Sequence, residues 1–386
     1  MDNPDDSLEK FDMPEVIFGL GALSKIGHCA KRLGGEKVFL VTDPGIIEAG
    51  WVDESIKYLE KEDLRYVVYD NVVTNPRDFQ VETGAQLYLQ EQCDVIVAVG
   101  GGSAIDAGKG VAILASNFGS IHDYEGCNKI THPIPPMVCA PSTAGTGADI
   151  TQFAVITDVA RRVKMTILSR AIMPDISVID PRLLQTKPQD LIASTGVDTL
   201  THAIEAYVSA LSWHLTDPHA IHAIELVMQH LPTAVKSRNM DALAGMSIAC
   251  LEAGIAFSNA ILGAVHALAH PLGGYYDMHH GVANTVLLPV VTRRNLKHSP
   301  DKYARIAQAM GVTANGQSTR EMGLQIIEKI EQLLTEIELP TRLSQLGVKR
   351  EDIPLMADLA QQDVCLLTNP CSYSKEEIEA IYHEAW

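Results

Sequence analysis

The chain has 386 residues, 46% of them hydrophobic and 20% charged, and carries a formal net charge of −18. That length points to two domains rather than one core, and both halves are apolar enough to bury a core of their own. An acidic balance of this size is repelled by phosphate backbones and anionic bilayers, which argues against a nucleic-acid or membrane partner.

The opening segment, MDNPDDSLEKFDMPEV, is acidic and has no apolar stretch, so it does not read as a signal peptide. Its first dozen residues read as disordered. Beyond it, strand-like apolar runs recur at 37–43, 65–70, 93–100, 136–141 and 176–181. Helical patterns at 52–62 and 78–92 separate some of them. Strand–helix alternation at this spacing predicts a parallel sheet with helices on its faces. The basic pairs Arg161-Arg162 and Arg293-Arg294 read as solvated surface.

The pattern changes at 183–188. Strand-like runs stop, and helical periodicity covers 188–211, 217–235, 241–270 and 318–337. The expected organisation is an α/β dinucleotide-binding domain at 1–185 and an all-helical domain at 186–386. Ligands of an open α/β sheet bind beyond the carboxyl ends of its strands, which would face the helical half. No run approaches the roughly 18 uninterrupted apolar residues of a spanning helix. Seven cysteines without a CxxC spacing suit reduced thiols in a cytoplasm.

Two local features carry chemistry. In VAVGGGSAIDAGKG a strand runs into Gly101, Gly102 and Ser103 and a helix starts at once. Such a turn lets backbone amides approach a pyrophosphate at a helix N-terminus, although it also serves as a plain strand-to-helix turn. Asp106 caps that helix or meets a cofactor, and Lys109 reads as solvated. Asp43, at the end of an earlier strand, suits a ribose diol and equally suits a cap. A second small-residue loop, Ser142 to Asp149, follows the strand at 136–141.

The other feature is histidine. Asp198 and His202 lie four apart in a helical pattern and share a face, as do His266 and His270 at the end of the predicted 241–270 helix. His279 and His280 follow what reads as a bend at Gly273-Gly274. The stretch HALAHPLGGYYDMHHG holds four histidines in an apolar setting, where unpartnered imidazoles are costly. One Asp oxygen and three His nitrogens make a site for Fe²⁺, Zn²⁺ or another divalent ion. Spacing alone permits either His270 or His280 as the last ligand.

These motifs resemble those of the iron-containing (group III) alcohol dehydrogenases over nearly the whole chain: GGGSAIDAGK, PSTAGTGAD, TGVDTLTHAIEAYVS, AFSNAILGAVHALAHPLGG and HHGVANTVLLP. The resemblance implies a dehydroquinate synthase-like architecture and an enzyme that interconverts primary alcohols and aldehydes with NAD. It implies one metal, expected to be Fe²⁺, on Asp198, His202, His266 and His280. The metal would be a Lewis acid on the alcohol oxygen and His270 a proton carrier. It further implies cofactor contacts at Asp43, Asn75, Gly101, Gly102, Ser103, Thr143, Thr146 and Lys164, with Asp43 favouring NAD over NADP. A small primary alcohol, diol or aldehyde is the implied partner, with Phe153, Phe257 and Trp213 as candidate pocket walls. Dimers are common in the family, and the sequence carries no oligomer signal of its own. The chain departs from the usual pattern at Ser142, at Asp149 and at Asn369-Pro370-Cys371, where relatives often have Thr, Glu and Asn-Pro-Arg. Two other classes share parts of the pattern. A dehydroquinate synthase-like lyase would need basic residues that the helical half lacks near these motifs, and a regulatory paralogue would not need the ligand set.

Overall fold

The structure, a computed structural model, describes residues 10–313 and 316–386. Most of the acidic opening segment, residues 1–9, lies outside them. Phe11 and Asp12, expected to be disordered, are pinned instead. Phe11 stacks on His219 and meets Trp213 edge-on, and Asn259 exchanges two hydrogen bonds with the backbone of Asp12.

The strands are β1 (Glu15–Phe18), β2 (Lys37–Val41), β3 (Arg65–Tyr69), β4 (Val95–Gly100), β5 (Gly126–Cys127), β6 (Met137–Pro141), β7 (Phe153–Asp158), β8 (Val163–Leu168) and β9 (Ile176–Ile179). β4, β6 and β9 are buried along their whole length, as strands covered on both faces must be. Six strands form a sheet in the order β1-β9-β6-β4-β2-β3, with every pair parallel. The expected parallel sheet is therefore present. Between β2 and β4 the order reverses: β3 lies outside β2, while β6 continues beyond β4. Loops leaving β2 and β4 diverge at such a switch point and open a crevice.

A smaller sheet, β5-β8-β7, was not foreseen. Its core is the antiparallel hairpin β7–β8, whose turn carries Arg161 and Arg162. Arg162 adopts the left-handed φ of 57°. Both basic pairs are engaged: Arg161 with Asp158 and Glu125, Arg162 with the Tyr275 carbonyl, and Arg293 and Arg294 with Glu384.

Helices Gln189–Val208, Thr216–Ser237 and Met240–Ala260 pack together as the centre of the second half. Its core draws mainly on residues from Leu184 onward, with Ala144 and Phe153 added from the sheet side. Met240–Ala260 is long and apolar enough to cross a bilayer, but it is packed into this core. The helix expected over 241–270 is two. It breaks at Ile261, which is at φ 62°, and a new helix, Ala264–Tyr276, begins. Gly273 and Gly274 are inside that second helix and form no bend. A Cβ on Gly274 would stand 2.8 Å from the Arg162 carbonyl oxygen, so glycine there lets the helix rest directly on the β7–β8 hairpin.

Candidate active site

A cleft of about 520 Å³ runs from the switch point to the helical half. On the sheet side, β4 ends at Gly100 and the helix Gly102–Ser116 starts immediately, with its first-turn amides at the cleft. A Cβ on Gly102 would come within 2.6 Å of Thr146 Oγ1. Only glycine allows the two loops to meet here. Ser103, Thr143 and Thr146 line the same wall, and Ser103 Oγ accepts the Asn75 N–H at 3.2 Å. Asn75 itself is left-handed at φ 56° and donates from Nδ2 to Asp277 at 2.8 Å.

Asp43 acts as a helix cap and also stands in the cleft. Its carboxylate accepts the Ile46 N–H and caps Pro44–Glu48, and it lines the cleft beside the glycine loop. Lys187, unnoticed in the sequence, lines the cleft too, and burial lowers its pKa against the pull of Asp43. Asp106 accepts the Val155 N–H through Oδ2, while its buried Oδ1 has no partner. Burial pushes its pKa up to about 6, against the opposing charge of Lys109.

Lys109 is not solvated. It is fully buried and donates to the carbonyls of Thr151 and Phe153 at 2.7 and 2.6 Å, tying the glycine-loop helix to β7. A lysine two turns into a helix gives no sequence signal that its Nζ will find two carbonyls some forty residues away. Lys164, on β8, lines the cleft, and burial brings its pKa down to about 8 despite Asp198 and Asp106.

On the helical side, Asp198 and His202 project from Gln189–Val208, His266 from Ala264–Tyr276 and His280 from the first position of His280–Asn295. The Nε2 atoms of His202, His266 and His280 lie 3.9, 3.7 and 3.7 Å from Asp198 Oδ1, and the four donor atoms are mutually within 4.8 Å. Tetrahedral bonds of about 2.0–2.2 Å would place donors roughly 3.3–3.6 Å apart, so the set fits one first-row divalent ion with little adjustment. The three side chains other than His280 are at most 4% exposed; His280 is 20% exposed, so the centre opens to the cleft on its side.

Two of the three histidine ligands are held from behind, whereas the buried Nδ1 of His280 has no hydrogen-bond partner among the described residues. His202 Nδ1 donates to the Gly145 carbonyl at 3.1 Å, and His266 Nδ1 pairs with Glu205 at 2.6 Å. Such partners fix the ring and turn Nε2 to the ion. Glu205 also accepts the N–H groups of Gly263 and Val265, so one carboxylate both starts the second helix and orients its first ligand. Asn369 Oδ1 accepts the Ala264 N–H. The tail that departs from the usual pattern at Cys371 therefore keeps a structural task. Asn284, one turn past His280, faces the donor atoms themselves: its Nδ2 donates to Asp198 Oδ1 at 2.6 Å and lies 3.3 and 3.2 Å from the Nε2 atoms of His266 and His280.

Burial keeps His202 neutral, with a pKa down to about 3, and lowers His280 similarly. Neutral imidazole is the form that binds an ion. Burial also disfavours charge on His266, but hydrogen bonds to Asp198 and Glu205 win and hold it up, at about 9. A divalent ion would replace that proton. Asp198 lies below its ordinary value because the facing imidazoles outweigh its burial.

His270 stands outside the four donors. Its Nδ1 pairs with Asp363 at 2.6 Å, and the ring lines the cleft. His279 occupies the position before the last ligand helix without a capping side-chain hydrogen bond, and it lines the cleft as well. Of the aromatic residues named as walls, Phe153 and Phe257 line the cleft, whereas Trp213 packs on Phe11 outside it. Glu205, Asn284 and Asp363 went unrecognised because their partners lie 61, 86 and 93 residues away.

Residues 14–181 match the model of the iron-containing alcohol dehydrogenases, and residues 192–386 match that of the C-terminal part of the Fe-containing alcohol dehydrogenase family. The chain belongs to the iron-containing alcohol dehydrogenase family. It is 43% identical to the 1,3-propanediol dehydrogenase of Klebsiella pneumoniae, covering 98% of this chain and 100% of that one. It is 37% identical to the NAD-dependent methanol dehydrogenase of Bacillus methanolicus, covering 97% and 99%. A solved 1,3-propanediol oxidoreductase superimposes with a TM-score of 0.96 at 42% identity, covering 98% of this chain and 100% of that one. Sulfoacetaldehyde reductase from Bifidobacterium kashiwanohense, solved in complex with NAD⁺, gives 0.86 at 28% identity over 98% of each chain.

Proposed function

We propose that this family member oxidises short primary alcohols or diols to aldehydes with NAD, and catalyses the reverse reduction. The observation that carries the reading is one cleft shared by a glycine-loop helix start and a four-donor centre open on its cleft side. NAD is supported by Asp43, whose carboxylate would accept from a ribose diol and repel a 2′-phosphate. The pyrophosphate would lie on the amides at Gly101, Gly102 and Ser103, with Asn75, Asp106, Thr143, Thr146 and Lys164 around the cofactor. Phe153, Phe257, Leu262 and Cys365 make an apolar wall that suits a short chain. The activities named for the relatives, on 1,3-propanediol and methanol, support the same size class.

Asp198, His202, His266 and His280 would hold the ion, with Fe²⁺ the expectation and Zn²⁺ compatible with the same donors. Such an ion supplies Lewis-acid polarisation of the alcohol oxygen. His270 has its Nδ1 committed to Asp363, which leaves Nε2 to take the alcohol proton and pass it to solvent. The seven unpaired thiols suit a reducing cytoplasm. The test is anaerobic purification, metal analysis and a panel of short alcohols with NAD⁺. NADH formation that tracks metal content is expected. Metal-replete protein that turns over none of them would overturn the reading in favour of a regulatory role.

A further inference from the structure

Next to the four-donor centre lies a second trio that the reaction does not use as a set. His270, Asp363 and Cys365 present an imidazole, a carboxylate and a thiol whose ligand atoms are mutually within 4.8 Å. His270 and Cys365 line the cleft, so two of the three donors face it. We propose that these three side chains form a second, inhibitory site for a soft divalent cation such as Zn²⁺ or Cd²⁺.

The donor set is what such ions select: nitrogen and thiolate with one carboxylate, and the cleft left for a fourth ligand. The pieces are rigidly presented. Asp363 Oδ1 accepts the Cys365 N–H at 2.9 Å, which holds the carboxylate and the thiol on one turn, and Oδ2 meets His270 Nδ1 at 2.6 Å. At ordinary zinc bond lengths that nitrogen and oxygen would stand roughly 3.3 Å apart, so the pair must open by well under an ångström. Charge also closes. A carboxylate and a thiolate neutralise one divalent ion, which matters because the His270 ring lies only 5.4 Å from that of His280. A comparable cluster, Asp78, His122 and Asp158, lacks this freedom because Arg161 already occupies Asp158.

The proton balance explains inhibition. The ion takes the Nδ1 lone pair of His270, so the ring proton moves to Nε2. The thiol proton leaves to solvent, one per ion bound to neutral His270. Burial and the Asp363 carboxylate keep the free thiol protonated, so the site is silent until an ion draws that proton away. With Nε2 protonated, His270 cannot accept the alcohol proton. This consequence, unlike the binding itself, rests on the role given to His270 above.

The experiment titrates Cd²⁺ into the iron-replete enzyme under anaerobic conditions. The expected result is one additional Cd²⁺ per chain, an ultraviolet thiolate-to-cadmium charge-transfer band, loss of activity in proportion to occupancy, and iron content unchanged. Cys365→Ser should lose the band, the extra ion and the inhibition. Cys127→Ser, at an exposed thiol on β5, should keep all three. Cys365→Ala serves if the serine variant misfolds, judged by circular dichroism and iron content. The site is overturned if the wild-type enzyme shows no band, if the band survives removal of Cys365, or if inhibition comes with release of iron. A band with full activity would leave the site standing and sink the proton-carrying role of His270.

Discussion

On the sheet side of the cleft, the groups facing a ligand are backbone amides and short hydroxyls carried by two loops. On the helical side they are long side chains from three separate helices. The first wall is defined by where the chain can go: Gly102 is needed because Thr146 leaves no room for a Cβ. The second is defined by what stands behind most of its histidines: Glu205 behind His266, the Gly145 carbonyl behind His202 and, beside the ligands, Asp363 behind His270. A wall of backbone tolerates change in side chains that are not in contact. A wall of oriented imidazoles depends on carboxylates that never touch the substrate.

The sharpest way to break that contrast is Asp198→Ala. It removes one of four donors and leaves the glycine loop untouched. Metal content should fall to near zero and kcat by on the order of 10³-fold or more, since several kcal/mol of charge stabilisation is lost. NAD binding, followed by quenching or calorimetry, should change little. Equal loss of both would mean the two walls are not independent.

Glu205→Gln asks whether orientation matters as much as ligation. The ring of His266 loses its charged anchor, and ion affinity in a chelator competition should drop by about 10–100-fold. Unchanged affinity would falsify the positioning role of Glu205.

Asp43→Asn separates the two tasks of that residue, because asparagine caps helices nearly as well as aspartate. Thermal stability should hold. The preference for NAD over NADP, measured as a ratio of kcat/KM values, should narrow by roughly tenfold as the repulsion of a 2′-phosphate disappears. Full retention of the preference would place discrimination elsewhere in the cleft.

The smallest effect is a pH dependence. Lys164, with its pKa near 8, is a cation below that pH and neutral above it. Binding of anionic NAD should therefore weaken, by roughly several-fold, as pH rises through about 8. Lys164→Met should flatten the curve at the weaker level. A wild-type curve that is flat from pH 7 to 9 would remove Lys164 from the cofactor wall.

Much of the sheet half was legible because its signals are local. The runs at 37–43, 65–70, 93–100, 136–141 and 176–181 are all strands, within a few residues at their ends. The β7–β8 hairpin escaped because no turn signature separates its strands; Arg162 takes the left-handed conformation without being glycine or asparagine. In the helical half, the long apolar run 241–270 hid a break, since hydrophobic periodicity is blind to the backbone of Ile261. The Gly273-Gly274 pair was misread for a related reason. Glycine in sequence marks either a turn or a close contact, and only the hairpin beneath it decides which.

The four donors return to the same division. Helix spacing alone placed Asp198 beside His202, and His266 beside His270, because residues four apart share a face whatever surrounds them. It could not say which histidine would complete the set. In the fold, His280 turns Nε2 to Asp198, while His270, nearer to His266 in sequence, is drawn aside by Asp363. That choice belongs to tertiary structure. A local repeat fixes which side chains are neighbours on one helix, but a carboxylate 93 residues away fixes which way an imidazole faces.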